Sequence, residues 1–445
     1  MGNETVILIM FGVFLLLCFT GTPIAFALIG GALTGAALSG VQYSTIVGQL
    51  FNGVNSFTLL AVPFFLLVAE LMDSSGIAAR IVLFVQTLVG HVKSGLAQVN
   101  AVFSMLFAGI SGSSVADVAA ISRILLPAMK REGYNEASSA ALVAAASTIA
   151  NLIPPSIMAV VYGAAGGVSI AAMFIGGVLP GVLVGVGIMI YSYFFVKSSA
   201  ARRQRASLQE MVRAGAGSFL PLLVPVIIMG GILTGAFTAT EAGMVAVAYI
   251  IFVVLPLMAR GHLRHIFKDF INGGVIYALP MLAIAGAAAF AWLFTYLGGS
   301  AFVARLMADV AGDNPVAILF TVVFVLVLMG QFIDAVPAIV LMMPILKSLQ
   351  ELGDINPIQM GLVAVVTLAL GLLTPPYGLS LLLATSFARV SFLSGVRKSI
   401  PMYGIFAVVI CIMVLFPDVA LWLPRTFTPQ GAGCFTPPGG ELICP

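Results

Sequence analysis

Charge is what this 445-residue chain has least of: 8% of its residues are Asp, Glu, Lys or Arg, against 61% hydrophobic. A soluble domain carries about 25% charged residues, so the composition excludes a protein kept in water by its own surface. A mean hydropathy of +1.16 and repeated apolar runs, several near the ~20 residues a spanning helix needs, mark an integral membrane protein. Alternating strands of period two are missing, which excludes a membrane barrel and leaves an all-α class. Histidine is scarce as well. His91, His262 and His265 form no metalloprotease-like pair, and two of them sit in a basic loop. Gly109–Ser113 superficially matches a nucleophile elbow but ends in Ser and lacks the strand–turn–helix setting, so no enzyme is expected. No basic tract suggests nucleic acid. The cysteines have no metal spacing. Cys18 and Cys411 lie in apolar spans and read as small buried thiols. Cys434 and Cys444 share a Pro/Gly-rich tail and would pair only in an oxidising compartment. The N-terminus has no basic region and no cleavage site, so it reads as a first span rather than a removed signal.

Against this apolar background Gly109-Ile110-Ser111-Gly112-Ser113-Ser114-Val115-Ala116-Asp117 stands out. Lipid offers no partner to free backbone groups, so irregular polar backbone at membrane depth must be buried in protein or line a watery cavity. A carboxylate there is a functional candidate by default. The stretch is therefore read as the tip of a re-entrant helical hairpin. Spans are expected at 5–20 and 22–39, then a short interfacial piece at 41–56, a span at about 57–73 and a helix at 77–93. Farther on, Asn151-Leu152-Ile153-Pro154-Pro155-Ser156 must interrupt a helix, because two consecutive prolines remove two amide donors. A long span follows at 169–196. Thr238-Ala239-Thr240-Glu241 reads as a capping box with a structural role.

The chain then repeats itself. Pro63 has a counterpart in Pro280 and Ala79-Arg80 in Ala304-Arg305; Leu126–Lys130 reappears as Met343–Lys347 after a four-residue deletion. Gly109, Pro154-Pro155 and Pro180 reappear as Gly330, Pro375-Pro376 and Pro401, all at an offset of 221. In this register Ser113 faces Asp334, Ile153 faces Thr374, Ser156 faces Tyr377 and Asn151 faces Leu372. The expected organisation is a first inverted repeat at 1–196 (hairpin about 96–127, broken helix about 136–166) and a basic cytoplasmic connector at 197–217. A second repeat at 218–423 (hairpin about 316–346, broken helix about 357–387) and a tail at 424–445 complete it, with one last span running to residue 422. With residue 1 outside, 15 of the 19 Lys and Arg fall inside, which agrees with the positive-inside rule and puts both termini outside.

Inverted repeats with helices interrupted at matching places point to a secondary-transporter binding site. Helix C-terminal carbonyls with Ser, Thr and Asn oxygens suit a small hard cation such as Na⁺, and helix N-termini suit an anionic group. Blander readings stand beside this one. Small residues let helices pack closely in membranes, and double prolines make kinks. Asp117 is as readable as a helix cap as it is as a ligand. Arg389 reads as a snorkelling interfacial residue, and Glu70 as one reaching the interface.

Taken together, the GISGSSVAD tip, the NLIPPS break, the TGAFTATEAG stretch and the LLTPPYG break resemble the large membrane subunit (DctM type) of tripartite ATP-independent periplasmic (TRAP) transporters, over nearly the whole chain. Ala239 departs from a proline often found in that family, at a cap rather than at the proposed site. The resemblance implies an ion-transporter-like fold with two re-entrant hairpins, an elevator-type transport domain on a scaffold, and a place in the bacterial inner membrane with a periplasmic tail. It implies a separate small membrane subunit (DctQ type), a periplasmic substrate-binding protein (DctP type), and Na⁺-driven uptake of an organic anion such as a C4-dicarboxylate or sialic acid. By resemblance the Na⁺ ligands lie among Ser111, Gly112, Ser113, Ser114, Asn151 and Pro154, and among Gly330, Asp334, Thr374, Pro376 and Gly378. Asp117, Pro155, Ser156 and Pro375 are the candidates for the substrate. Rival readings are proton coupling through Asp117 or Asp334, an autonomous anion symporter, and a structural or channel-like subunit.

Overall fold

Polar caps and Pro/Gly interruptions cut the apolar chain into helices in the computed structural model, which describes residues 2–198 and 203–433. No strand occurs among these residues. The first half runs α1 (Asn3–Phe19), α2 (Ile24–Ser39), α3 (Tyr43–Val54), α4 (Ala61–Ser74), α5 (Ile77–Val89), α6 (Gly95–Ser111), α7 (Ser114–Arg131), α8 (Glu136–Ser147), α9 (Ile157–Gly166) and α10 (Ile170–Phe195). The second half runs α11 (Leu208–Leu233), then α12 (Ala239–Tyr249) through a π-helical turn into α13 (Leu255–Met258). It continues with α14 (Ile266–Tyr296), α15 (Gly299–Ala311), α16 (Pro315–Gly330), α17 (Ala335–Leu352), α18 (Pro357–Gly371), α19 (Leu379–Ala388) and α20 (Phe392–Leu415), with α21 (Asp418–Phe427) appended.

The order of the second half copies that of the first. α11 stands for α1, α12–α13 for α2, α15 for α5, and α16 to α20 for α6 to α10. α3 and α4, bent at 56° to each other, correspond to the unbroken 31 residues of α14. Caps recur in the same places. Asn135 accepts from the Ser138 amide at 3.0 Å to start α8, and Asn356 accepts from the Ile358 amide at 2.9 Å to start α18. Each cap satisfies amides that have no partner within the helix.

The halves interlock. Each outgoing hairpin arm packs on the first piece of the broken helix in its own repeat, α6 on α8 and α16 on α18. Each return arm also packs on the second piece of the other repeat's broken helix, α7 on α19 and α17 on α9. α8 and α18, both largely buried, sit inside this crossing; Ala- and Gly-rich faces there allow close approach. Around it α14 packs on α2, α3, α4 and α17, α12 on α4, and α5 on α11. Phe11 and Phe14 meet Phe290 edge-on at centroid distances of 5.0 and 5.7 Å. Among the described residues six helices are long and apolar enough to span a membrane, or seven if the bent α3–α4 pair counts as one.

Three boundaries differ from the sequence expectation. α11 begins at Leu208, not near 218, because Ser207 and Glu210 form a capping box inside the basic connector, so Arg213 is helical. The last long helix stops at Leu415 instead of running to 422: Pro417 breaks it, and α21 carries the chain past the expected tail boundary at 424. Pro127 does not end the first hairpin, since α7 continues to Arg131. The expected Thr238–Glu241 capping box is present. Neither Cys18 nor Cys411 is in a disulfide. Cys434, Cys444 and Arg202 lie outside the described residues.

Candidate functional site

The first tip is a two-residue break between α6 and α7. Gly112 ends α6 in the left-handed region (φ 62°), and Ser113, extended, begins α7. A Cβ on Gly112 would overlap the Pro155 carbonyl oxygen, so only glycine fits this turn against this neighbour. The contact continues in a backbone hydrogen bond: the Ile157 amide donates to the Gly112 carbonyl at 3.3 Å. Tip and break therefore form one unit, bringing Gly112, Pro155 and Ile157 together and setting the Pro154 carbonyl beside Gly109.

Three side-chain hydrogen bonds hold this unit. The Ser111 hydroxyl donates to Asp117 Oδ1 across the turn. Ser156 bridges the helix break: its hydroxyl donates to the Asn151 carbonyl at 2.5 Å and accepts from the Ala159 amide at 3.2 Å. The Asp117 carboxylate is therefore not the cap of α7. Ser113 holds the cap position, and Asp117 lies a turn inside, tying the two arms of the hairpin. Asp117 is wholly buried, yet its Oδ2 has no hydrogen-bond partner among the described residues, and neither has the side-chain amide nitrogen of Asn151. Buried polar atoms left unpaired are costly, so each asks for a partner that arrives from outside the chain. Ser113 and Ser114 share the turn and make no side-chain hydrogen bond among the described residues, Ser114 being buried.

The second site repeats the plan with different chemistry. Asp334, in the register of Ser113, is the N-cap of α17 and accepts from the Ala335 amide at 2.7 Å. The Tyr377 amide donates to the Gln331 carbonyl at 3.1 Å, again joining a tip carbonyl to an amide just past a double proline. Gly330 and Gly371 approach so closely that a Cβ on Gly330 would lie 3.2 Å from the Gly371 Cα. The Thr374 hydroxyl donates to the Gly371 carbonyl at 3.2 Å, and Gly378 adopts φ 43° to start α19. The Ser380 amide reaches back across the break to the Leu372 carbonyl at 3.1 Å. Leu372 faces Asn151 in the repeat register, so the same carbonyl receives a cross-break bond in both halves. Both Pro-Pro bonds, 154–155 and 375–376, are cis. The sites differ in access: Pro154, Pro155 and Ser156 are buried, whereas Pro376 is exposed and Pro375, Tyr377 and Asp334 are half-buried.

Gln331, Gly371 and the Ile157 amide take part without having been named as site residues from sequence, and Leu372 and Tyr377 entered only as the register partners of Asn151 and Ser156. They contribute backbone groups or a missing side chain. No group of three or more His, Cys, Asp or Glu suited to a metal occurs among the described residues; the oxygens at both tips are carbonyls, hydroxyls and single carboxylates, which are hard ligands.

Comparison with known proteins follows the same line. The family model described as tripartite ATP-independent periplasmic transporter, DctM component, matches residues 11–419. A sialic acid TRAP transporter large permease protein, SiaM, of Vibrio cholerae is 34% identical over 93% of this chain and 97% of its own length. The C4-dicarboxylate TRAP transporter large permease protein DctM of Pseudomonas aeruginosa is 37% identical over 89% of this chain and 93% of its own. Among solved structures, the Alcanivorax borkumensis YdaH transporter shares the fold, with a TM-score of 0.60 at 15% identity, covering 84% of this chain and 88% of its own.

Proposed function

The chain belongs to the DctM family, the large permease component of tripartite ATP-independent periplasmic transporters, and on that premise we propose that it carries a small organic anion inward in symport with Na⁺. The observation that carries the reading is the doubled site: each half joins a hairpin-tip carbonyl to an amide beyond a double proline, Gly112 to Ile157 and Gln331 to Tyr377. Two helix C-termini and two helix N-termini then meet at each site. Exposed carbonyls with Ser111, Ser113, Ser114 and Asn151, and with Asp334 and Thr374, are the Na⁺ partners. The helix starts at Ile157 and Leu379 offer positive dipole ends to the substrate carboxylate.

Hairpins and broken helices interlock into one body, and α1–α4 with α11–α14 surround it; this division supports an elevator in which the inner body travels. A DctQ-type small subunit completes the scaffold, a DctP-type binding protein delivers the anion, and the assembly sits in the bacterial inner membrane with both termini in the periplasm. A carboxylate or a sialic acid is the expected cargo class, as the relatives' names suggest. The test is uptake into proteoliposomes with Na⁺ and the binding protein each present or withheld. Accumulation that needs both is expected; accumulation indifferent to Na⁺ overturns the reading. Proton coupling is the second reading, because the unpartnered Asp117 Oδ2 is a buried place for a proton. It requires that uptake driven by a pH gradient disappear in Asp117→Asn.

A further inference from the structure

The repeat assigns Lys347 of α17 the place that Lys130 holds in α7, three residues past a matched proline. Lys130 is neutralised: its Nζ lies 2.8 Å from Glu136 Oε1, at the first residue of the following helix. The following helix in the second half starts with Pro357, which offers no carboxylate. Lys347 accordingly makes no ion pair among the described residues. Lys347, an exposed residue, instead lines an open pocket of about 440 Å³ with Thr295, Ser300, Val340, Met343 and Ser348.

The donors in this cavity select for an anion. The Thr295 hydroxyl donates to the Ala291 carbonyl at 2.9 Å, and the Ser348 hydroxyl to the Pro344 carbonyl at 3.1 Å, so both protons are spent within their own helices. The Ser300 hydroxyl lies 3.4 Å from Thr295 Oγ1, which has no proton left to give, so Ser300 donates there and Lys347 remains as the group able to donate inward. Val340, Met343 and Ala165 supply an apolar wall for a short carbon skeleton. The volume falls in the range of small-ligand sites, roughly 300–1,000 Å³. The place is equally telling. α17 starts at the second tip and α9 at the first break; the two helices pack together, and both reach this cavity. Lys347 is the thirteenth residue of α17, which puts it about 20 Å from the tip at 1.5 Å per residue. It also stands on the side expected to face outward, where few Lys and Arg are found.

We propose that the Lys347 cavity is a carboxylate-binding waiting site, occupied by the incoming organic anion before it reaches the tips. The proposal rests on the transport reading above, and its test is separate from uptake. The native cysteines are replaced by serine in the full-length permease, and Ser348→Cys is introduced as a reporter. Alkylation by N-ethylmaleimide is timed in phosphatidylcholine nanodiscs, without binding protein, in the presence of millimolar succinate, malate, fumarate or N-acetylneuraminate. At least one probe is expected to slow alkylation severalfold. Lys347→Arg retains this protection and Lys347→Gln removes it, each variant being compared with its own unprotected rate, because loss of the neighbouring ammonium changes the thiolate fraction of the reporter. Equal protection in Lys347→Gln, or protection by no probe, overturns the proposal. So does Lys347-dependent protection seen only when phosphatidylglycerol is added, which makes the lysine a lipid contact. Uptake of the same probes is measured in parallel with the complete system. Its failure sinks the transport reading alone, and normal uptake without protection sinks the waiting site alone.

Discussion

Gly112 and Pro155 leave no room for a side chain between them: a Cβ on the glycine would occupy the place of the proline's carbonyl oxygen. The contact fixes how the first hairpin tip meets the first helix break, and Gly112 also needs φ 62°, where other residues are strained. Gly112→Ala is expected to cost about 1–3 kcal/mol and to displace the carbonyl that receives the Ile157 amide. Uptake per folded molecule should fall several-fold, because the displaced carbonyl belongs to the proposed ion site. Radiolabelled uptake normalised to folded protein reads the effect; an alanine variant with wild-type uptake would show that tip and break need not touch.

Asp117 and Ser111 tie the arms of the first hairpin, and the other carboxylate oxygen is buried without a partner. Asp117→Asn keeps an acceptor for the Ser111 hydroxyl, whereas Asp117→Ala strands it, at about 1–3 kcal/mol for an unpaired buried group. The expected order of thermal stability is therefore asparagine above alanine. Under Na⁺ coupling the asparagine variant still accumulates substrate on a Na⁺ gradient. Alanine and asparagine variants of equal stability would mean that the Ser111 bond does not hold the tip.

How much of this site was legible in sequence depended on whether the signal was local. Glycines, serines and double prolines announce broken helices because each changes the backbone at its own position, and the offset of 221 doubled that signal. The Ser207–Glu210 box was just as local, but a basic polar stretch hid it, so α11 starts earlier than expected. The crossing of return arms onto the other repeat, α7 on α19 and α17 on α9, was not legible. The crossing helices are rich in small and aliphatic residues that carry no pairing code, and the polar link between α9 and α17, Gln350 to Tyr162, joins residues far apart in sequence that no local pattern connects. The Ser111–Asp117 tie needed the turn geometry itself, since a carboxylate in a first helical turn reads equally well as a cap.

Arg123 on α7 holds Asp73 on α4 at 3.0 Å, with the arginine side chain 60% exposed. Exposed pairs of this kind contribute about 0–1 kcal/mol, so Arg123→Ala and Asp73→Asn should barely change the unfolding temperature. If the hairpin travels relative to α4, the pair must open in every cycle. Removing it then shifts the population of the two end states by up to about fivefold, because 1 kcal/mol corresponds to that ratio. The maximal uptake rate should change by that order in each single variant, with no further change in the double variant. The charge-swapped pair, Asp73→Arg with Arg123→Asp, should restore it. Additive effects in the double variant would show that the two residues act separately and remove the latch.

Tyr162 carries a buried polar link between the two repeats. Its hydroxyl, on α9, donates to the Pro357 carbonyl at the start of α18 (3.0 Å) and accepts from the Gln350 side chain on α17 (2.7 Å). The ring is fully buried against Gly361, where a Cβ would collide with it. Tyr162→Phe keeps that packing and removes only the oxygen, so the loss measured is that of the polar link. Leaving the Gln350 amide without its buried acceptor should cost about 1–3 kcal/mol. Gln350→Ala removes one bond and leaves the Tyr162–Pro357 bond in place, so it should cost less, and the two substitutions should be less than additive because they share a partner. Thermal unfolding of the three variants in nanodiscs measures this. A larger loss for Gln350→Ala than for Tyr162→Phe would place the link between the repeats elsewhere than at this hydroxyl.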